Sequence, residues 1–240
     1  MQDLLKDISQ PAICYDKLVK QVKDVCISCN RNFEDVHILP VVKYASVNQI
    51  VNLLRYKKID YVAESRLQDS IKKWQSAELS GFNVKKVFIG HLQKNKVAKI
   101  IAFFDLIASL DSLEMAKFIN EKAILQNKKV SCLLQIKLTN KDTQGGVSLQ
   151  NAQTLLTQIK ETCPFINLKG LMAIAPQTDD ETIKSLFREV KKVFVSNFST
   201  SQDILSMGMS NDYKLAIQEG SNLIRIGSAI FDCTEGVNDN

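Results

Sequence analysis

The chain has 240 residues, 45% of them hydrophobic, and carries 31 Lys and Arg against 26 Asp and Glu, for a formal net charge of +5. This length allows one large domain or two small ones with a sizeable apolar core. The lysines are scattered and are not interleaved with aromatic residues, so we expect no nucleic-acid partner. The mild positive charge indicates a solvated basic surface, with an anionic ligand as the alternative.

The N-terminal segment MQDLLKDISQ lacks the apolar centre of a signal peptide, and no stretch approaches the length of a membrane span. We therefore expect a cytoplasmic protein with no membrane contact. In that compartment the six cysteines should be reduced thiols rather than a disulfide framework. Cys26 and Cys29 have a metal-like or redox-like spacing, but we interpret them as neighbours on the buried face of a helix.

The predicted elements begin with extra helices over residues 1–33. Eight short apolar runs then alternate with amphipathic helical patterns over residues 36–232, and such continuous runs are typical of parallel strands buried on both faces. The pattern predicts a single-domain (β/α)8 barrel covering 1–240, with an open doubly wound sheet as the alternative. The eight runs are VHILPVVK, DYVAES, KKVFIG, FDLIASL, SCLLQIKL, LKGLMAIA, DILSMG and NLIRIGSAIF.

A barrel of this kind places functional residues at the C-terminal ends of its strands, and phosphate tends to bind after strands seven and eight. LSMGMS follows the seventh run and RIGS closes the eighth. Ser210 is a candidate phosphate ligand, or the N-cap of a helix that ends at Gly220. The sequence therefore predicts an anion site at these two turns.

Lys43 and Arg225 are the two charged residues at predicted strand ends that point to a specific ligand. Partial desolvation at a barrel mouth would lower the pKa of Lys43 and favour the free amine that attacks an aldehyde; the alternative is a strand-end lysine in solvent. Strand alternation puts Arg225 and Gly227 on one face, where Gly227 would admit a ligand and Ser228 adds a hydroxyl. The alternative for Arg225 is a core carboxylate partner. A ligand with a phosphate, an aldehyde and a polar ring atom fits this set, and pyridoxal 5′-phosphate (PLP) has all three.

Several motifs resemble the pyridoxal phosphate homeostasis protein family, one-domain relatives of the alanine racemase N-terminal barrel. They are PVVKYASVNQI, VFIGHLQKNK, GLMAIAP and LSMGMSNDYKLAIQEGSNLIRIGSAIF. The resemblance implies a Schiff base between PLP and Lys43, and Arg225 facing the pyridine nitrogen. It further implies a phosphate cradle formed by Ser210, Gly227 and Ser228, with Met209 nearby.

The chain departs from the family pattern near the second and third strands. Ser65 stands where the family has an asparagine close to the cofactor, in Ala63-Glu64-Ser65. Val87 replaces a histidine of the family, and Ser228 replaces its usual threonine. The resemblance therefore implies that Ser65 is a cofactor-binding position whose contact is altered.

The resemblance implies a protein that binds PLP and maintains its intracellular supply without a defined catalytic turnover. The alternative is a minimal PLP-dependent amino-acid racemase, with Tyr44 or Tyr61 as the tyrosine that fold-related racemases take from a second, β-rich domain. The printed sequence ends at Asn240, and we expect no such domain. A third reading is an interaction module that binds no cofactor. We expect a monomer, with PLP-dependent apoenzymes as candidate recipients and no metal.

Overall fold

The computed structural model describes residues 2–139 and 145–233. Its main feature is a parallel sheet in which eight strands follow the order β1-β9-β8-β7-β5-β4-β3-β2, while the short β6 pairs with β5 outside this path. Within the described residues the strands are β1 (His37–Pro40), β2 (Tyr61–Glu64), β3 (Lys85–Phe88), β4 (Leu106–Leu110), β5 (Val130–Lys137), β6 (Val147–Ser148), β7 (Ile166–Ile174), β8 (Ile204–Ser206) and β9 (Leu223–Ile226).

The two ends of this strand path, β1 and β2, meet just beyond β1. Val41 forms a parallel bridge with Ala63, and the Val42 N–H donates to the Ala63 carbonyl at 2.9 Å. The sheet therefore closes on itself, which confirms the predicted eight-stranded barrel. Each of the eight predicted apolar runs overlaps one of its strands, although β5 and β7 begin one and two residues before their runs.

Helices surround the barrel, and most of them follow a strand, as the βαβ connections of a parallel sheet require. They are α1 (Gln2–Ser28), α2 (Val47–Tyr56), α3 (Leu67–Trp74), α4 (Ala77–Ser80), α5 (Lys94–Phe103), α6 (Leu113–Leu125), α7 (Leu149–Thr162), α8 (Asp180–Asn197), α9 (Tyr213–Gln218) and α10 (Ser228–Phe231). The several helices expected before the barrel are one long helix, α1, and a 3-10 turn at Phe33–Asp35.

Apolar side chains fill both sides of the barrel wall. The interior contains Leu39, Ala63, Val87, Leu106, Ala108, Leu133 and Met172. On the outside, Ile224 and Ile226 of β9 pack in one cluster with Leu18 and Val22 of α1. Because strand side chains alternate, this outward packing turns Arg225 toward the interior.

Two further expectations are corrected by the structure. The run NLIRIGSAIF is not one strand, because the strand ends at Ile226 and α10 begins at Ser228. The cysteines are not all free, because the structure joins Cys14 of α1 to Cys233 in a disulfide.

Cys26 is buried in the last turn of α1, as expected. Cys29 instead directly follows the helix and is half-buried, and its thiol donates to the backbone carbonyl of Val25. Over residues 2–139 and 145–233, no His, Cys, Asp and Glu side chains group in a way that could hold a metal ion. Over the same residues, no helix combines the length and apolar character needed to span a membrane.

Candidate functional site

The turn after β8 is folded tightly by a glycine. Gly208 has φ +91°, and a Cβ placed there would lie 2.6 Å from the Ala216 Cβ and 2.8 Å from the Tyr213 Cα. Its carbonyl accepts the Arg225 N–H at 3.0 Å. Gly208 thereby joins the start of the turn to β9 and lets α9 pack closely behind it.

Asp212 holds the rest of this turn. Its carboxylate accepts the Met209 N–H at 2.7 Å, and it is also the N-cap residue of α9. The alternative role of Ser210 as N-cap is therefore wrong. Burial raises the pKa of the Asp212 carboxyl, while the Met209 N–H and the charge of Arg225 act in the opposite direction.

The side chains of Ser210 and Ser228 meet across the ends of β8 and β9. Their hydroxyl oxygens lie 2.9 Å apart. Ser228 is the exposed first residue of α10, and Gly227 before it is the N-cap position of that helix. A Cβ on Gly227 would lie 3.3 Å from the Val41 carbonyl oxygen, so this backbone runs close to the end of β1. Two of the predicted phosphate ligands are therefore brought together, beside exposed Met209.

Arg225 is only 4% exposed, and its guanidinium faces the neighbouring strands. One terminal nitrogen donates to the carbonyl and the hydroxyl of Ser206, each at 2.9 Å, and the other donates to the Ala173 carbonyl at 2.9 Å. It forms no ion pair with a carboxylate in the described parts of the chain. Burial lowers the pKa of Arg225 to about 10, partly offset by Asp212, so the group stays charged at neutral pH.

Lys43 lies at the same end of the barrel, shortly after the end of the neighbouring strand β1. Pro40 of β1 is in register with Ile226 of β9, so Lys43 and Ser228 both follow the paired strand ends. Lys43 is half-buried, and its Nζ lies 4.8 Å from the centroid of the Tyr44 ring. Tyr44 is 75% exposed, so the amine lies at the rim of the barrel.

Ser65 directly follows β2, and it is half-buried at the same end of the barrel. A Cβ on Gly90 would collide with the Ser65 carbonyl oxygen, so only glycine lets the two strand ends approach this closely. The departures Ala63 and Val87 both belong to the apolar interior of the barrel.

The tyrosines considered for a racemase lie at different ends of the barrel. Tyr61 is the first residue of β2, whereas Tyr44 follows Lys43 at the opposite end. The sequence interpretation missed Ser206 and Gly90, because their importance comes from contacts between strands rather than from local spacing.

Comparisons with known proteins agree with this barrel fold. The alanine racemase N-terminal domain family matches residues 15–235. A pyridoxal phosphate homeostasis protein of Helicobacter pylori is 35% identical over 218 residues, 90% of this chain and 96% of the relative. That of Haemophilus influenzae is 31% identical over 220 residues, 88% of this chain and 91% of the relative.

A solved structure, PipY of Synechococcus elongatus with PLP bound, is 28% identical and superimposes with a TM-score of 0.73, covering 82% of this chain and 92% of PipY. The fold, the extent of these matches and the level of identity all indicate the same family. The chain therefore belongs to the alanine racemase N-terminal domain family and, within it, to the pyridoxal phosphate homeostasis proteins.

Proposed function

We propose that this protein binds PLP at the C-terminal mouth of its barrel and helps to maintain the intracellular supply of PLP, without a defined catalytic turnover. Its relatives are named for this role, and PipY is solved with PLP bound. One arrangement carries the proposal for this chain. The hydroxyls of Ser210 and Ser228 meet at the mouth of the barrel, where β9 ends. The same strand carries the buried cation of Arg225.

These residues fit the chemical groups of PLP. Two hydroxyls 2.9 Å apart can both rotate to donate to one phosphate, and the backbone at Gly227 adds a surface without a side chain. Met209 and Ser65 border the same mouth, and we propose them as flanking contacts. Lys43 supplies the amine on the adjoining strand end.

PLP, when bound, supplies an aldehyde that condenses with an amine and a ring that can accept electrons. A charged guanidinium at the ring nitrogen disfavours protonation of that nitrogen, which leaves the ring a weaker electron acceptor. Arg225 keeps its charge at neutral pH, since its pKa of about 10 is well above 7. The proposed position of Arg225 therefore favours holding PLP over turning over an amino acid.

The proposal includes a single PLP-binding domain, a monomeric state and a cytoplasmic location with PLP-dependent apoenzymes as recipients. The continuous strand path of the barrel, which runs from β1 through β9 to β2, supports the single domain. Sedimentation of the purified protein tests the monomer. Direct delivery is tested by measuring the rate at which PLP passes to an added apoenzyme. A rate higher than release of PLP and free diffusion allow would support it.

Reductive trapping tests ligand and residue together. Purified protein is mixed with PLP, its visible absorbance is recorded, and borohydride treatment is followed by peptide mass mapping. The pyridoxyl group is expected on Lys43. Lys43→Ala should abolish the label, and Lys99→Ala, on the exposed face of α5, should not. A label that stays elsewhere in Lys43→Ala at the original yield would contradict the assignment.

The racemase alternative has its own measurement. PLP-loaded protein is incubated with single-enantiomer amino acids, alongside free PLP at the same concentration. We expect no conversion above that of free PLP. Multiple turnovers of any one amino acid, lost in Tyr44→Phe, would favour the racemase.

A further inference from the structure

Glu64, Lys73 and Trp74 form a buried polar cluster behind the mouth of the barrel. The Glu64 side chain is 1% exposed and that of Lys73 is 13% exposed. Lys73 Nζ lies 3.1 Å from Glu64 Oε1, and the indole N–H of Trp74 donates to the same oxygen at 3.3 Å. The cluster joins the last residue of β2 to the last turn of α3.

Lys73 also binds the chain immediately before Lys43. Its ammonium donates to the Val42 carbonyl oxygen at 2.6 Å. That oxygen belongs to the peptide group that joins Val42 to Lys43. The Val42 N–H is held as well, by the Ala63 carbonyl at 2.9 Å. Both backbone polar groups of Val42 are thus fixed, one by β2 and one by the ion pair.

The cluster lies outside the barrel wall and so acts on the mouth only through the backbone. Val42 and Val62 pack in the apolar cluster between the wall and the helices, together with Trp74. Glu64 shares a strand face with Val62, because the two are separated by one residue of β2. Ala63, on the other face, belongs to the barrel interior.

A buried ion pair is a costly way to stabilise a fold, because apolar residues of similar size often serve as well. A charge-assisted hydrogen bond to a carbonyl instead fixes a direction in space. We propose that the Glu64–Lys73 pair is a positioning device that fixes the Val42–Lys43 peptide and aims the Lys43 amine at the aldehyde of PLP. This inference rests on the proposed function.

The experiment compares two ligands that differ in the aldehyde. PLP reports on the bond to Lys43, whereas pyridoxine 5′-phosphate has an alcohol in place of the aldehyde and reports only on the phosphate and ring contacts. Both dissociation constants are measured for the wild type, Lys73→Met and the double variant Glu64→Leu/Lys73→Met. The double variant leaves no unpaired buried charge, so it keeps the test valid if Lys73→Met fails to fold.

We expect each folded variant to bind PLP about tenfold more weakly, which corresponds to about 1.4 kcal/mol. Binding of pyridoxine 5′-phosphate should change by less than about twofold, and Lys73→Arg should restore much of the PLP affinity, since a guanidinium can also reach two acceptors. Lys192→Met is the matched control, because Lys192 pairs with Glu189 at 2.7 Å on the exposed face of α8.

Equal weakening for both ligands would mean that the pair only supports the fold, and unchanged PLP affinity would mean that it does not position Lys43. Either result overturns the inference while the wild type still binds PLP through Lys43. Failure of the proposed function is recognised separately, because the wild type would then show no saturable binding of PLP. A wild type that binds PLP no better than pyridoxine 5′-phosphate would show that Lys43 forms no bond with PLP.

Discussion

The hydroxyl pair of Ser210 and Ser228 allows a quantitative test of the proposed phosphate site. In the free protein the two hydroxyls bond to each other, with their oxygens 2.9 Å apart. A neutral hydrogen bond of this kind contributes about 1 kcal/mol, and a hydrogen bond from a hydroxyl to a charged phosphate contributes about 2 kcal/mol. Binding phosphate therefore gains two strong bonds and loses one weak bond.

This balance gives different costs for one and two substitutions. Ser210→Ala or Ser228→Ala alone loses one phosphate bond, but it also removes the weak bond that binding would break. Its net cost is about 1 kcal/mol, or about fivefold in the dissociation constant. The double variant loses both phosphate bonds, at a net cost of about 3 kcal/mol, or about 150-fold. The combined effect is expected to exceed the sum of the two single effects by about 1 kcal/mol.

Calorimetric titration with PLP measures all four constants. Ser228→Thr keeps a hydroxyl and should bind within about twofold of the wild type. Ser80→Ala, on α4, is the matched control, because its hydroxyl donates to the Ala77 carbonyl in an exposed turn. Unchanged affinity in the double variant would refute the reasoning and assign the phosphate to backbone N–H groups. A combined effect smaller than the sum would contradict the mutual hydrogen bond.

Three further outcomes are expected. Gly208→Ala should lower the free energy of unfolding by about 2–4 kcal/mol in urea titrations, because an alanine is strained at φ +91° and collides with α9. Gly81→Ala is the control and should leave the free energy of unfolding nearly unchanged, because a Cβ there meets open space. The Asp179 pKa is lowered to about 2, chiefly by the backbone N–H of Thr182. The carboxylate therefore stabilises the fold above its unfolded pKa. The difference in unfolding free energy between the wild type and Asp179→Ala should shrink to nothing as the pH falls from about 4 to about 2. Because Cys14 and Cys233 are joined, thiol titration of unfolded protein should count four thiols before reduction and six after it. A count of six before reduction would contradict the disulfide.

The barrel could be predicted from sequence because its strands are covered on both faces. A strand that is buried on both faces has to be apolar at consecutive positions, so runs such as VHILPVVK can be recognised without any information on contacts. The same rule failed where an apolar run crosses from strand to helix. SAIF continues the apolar character of β9, but the chain turns at Gly227, and these four residues form α10.

The mouth of the barrel was only partly predictable. Side-chain alternation correctly turned Arg225 inward, because its neighbours Ile224 and Ile226 need the apolar layer under α1. The N-cap role suggested for Ser210 was wrong, because Asp212 is closer to α9 and its carboxylate closes the turn on Met209.

Contacts between residues distant in sequence were beyond the reach of local patterns. Cys14 and Cys233 are separated by 219 positions, and no spacing rule joins them. The hydrogen bond from Lys73 to the Val42 carbonyl likewise depends on how α3 packs against the wall. Sequence reasoning therefore placed the candidate residues at the ends of strands, and the packing of the helices determined which contacts support them.

Arg225 connects the fold to the proposed function. A buried cation is costly, and three hydrogen bonds to Ser206 and Ala173 compensate part of that cost by holding the guanidinium in place. Apolar residues often stabilise a core as well as buried charged groups do, so stability alone does not account for the charge. A guanidinium that stays protonated at neutral pH can orient a ligand, but it cannot accept a proton from one. Its place in the mouth therefore fits a protein that holds its cofactor better than one that transforms a substrate with it.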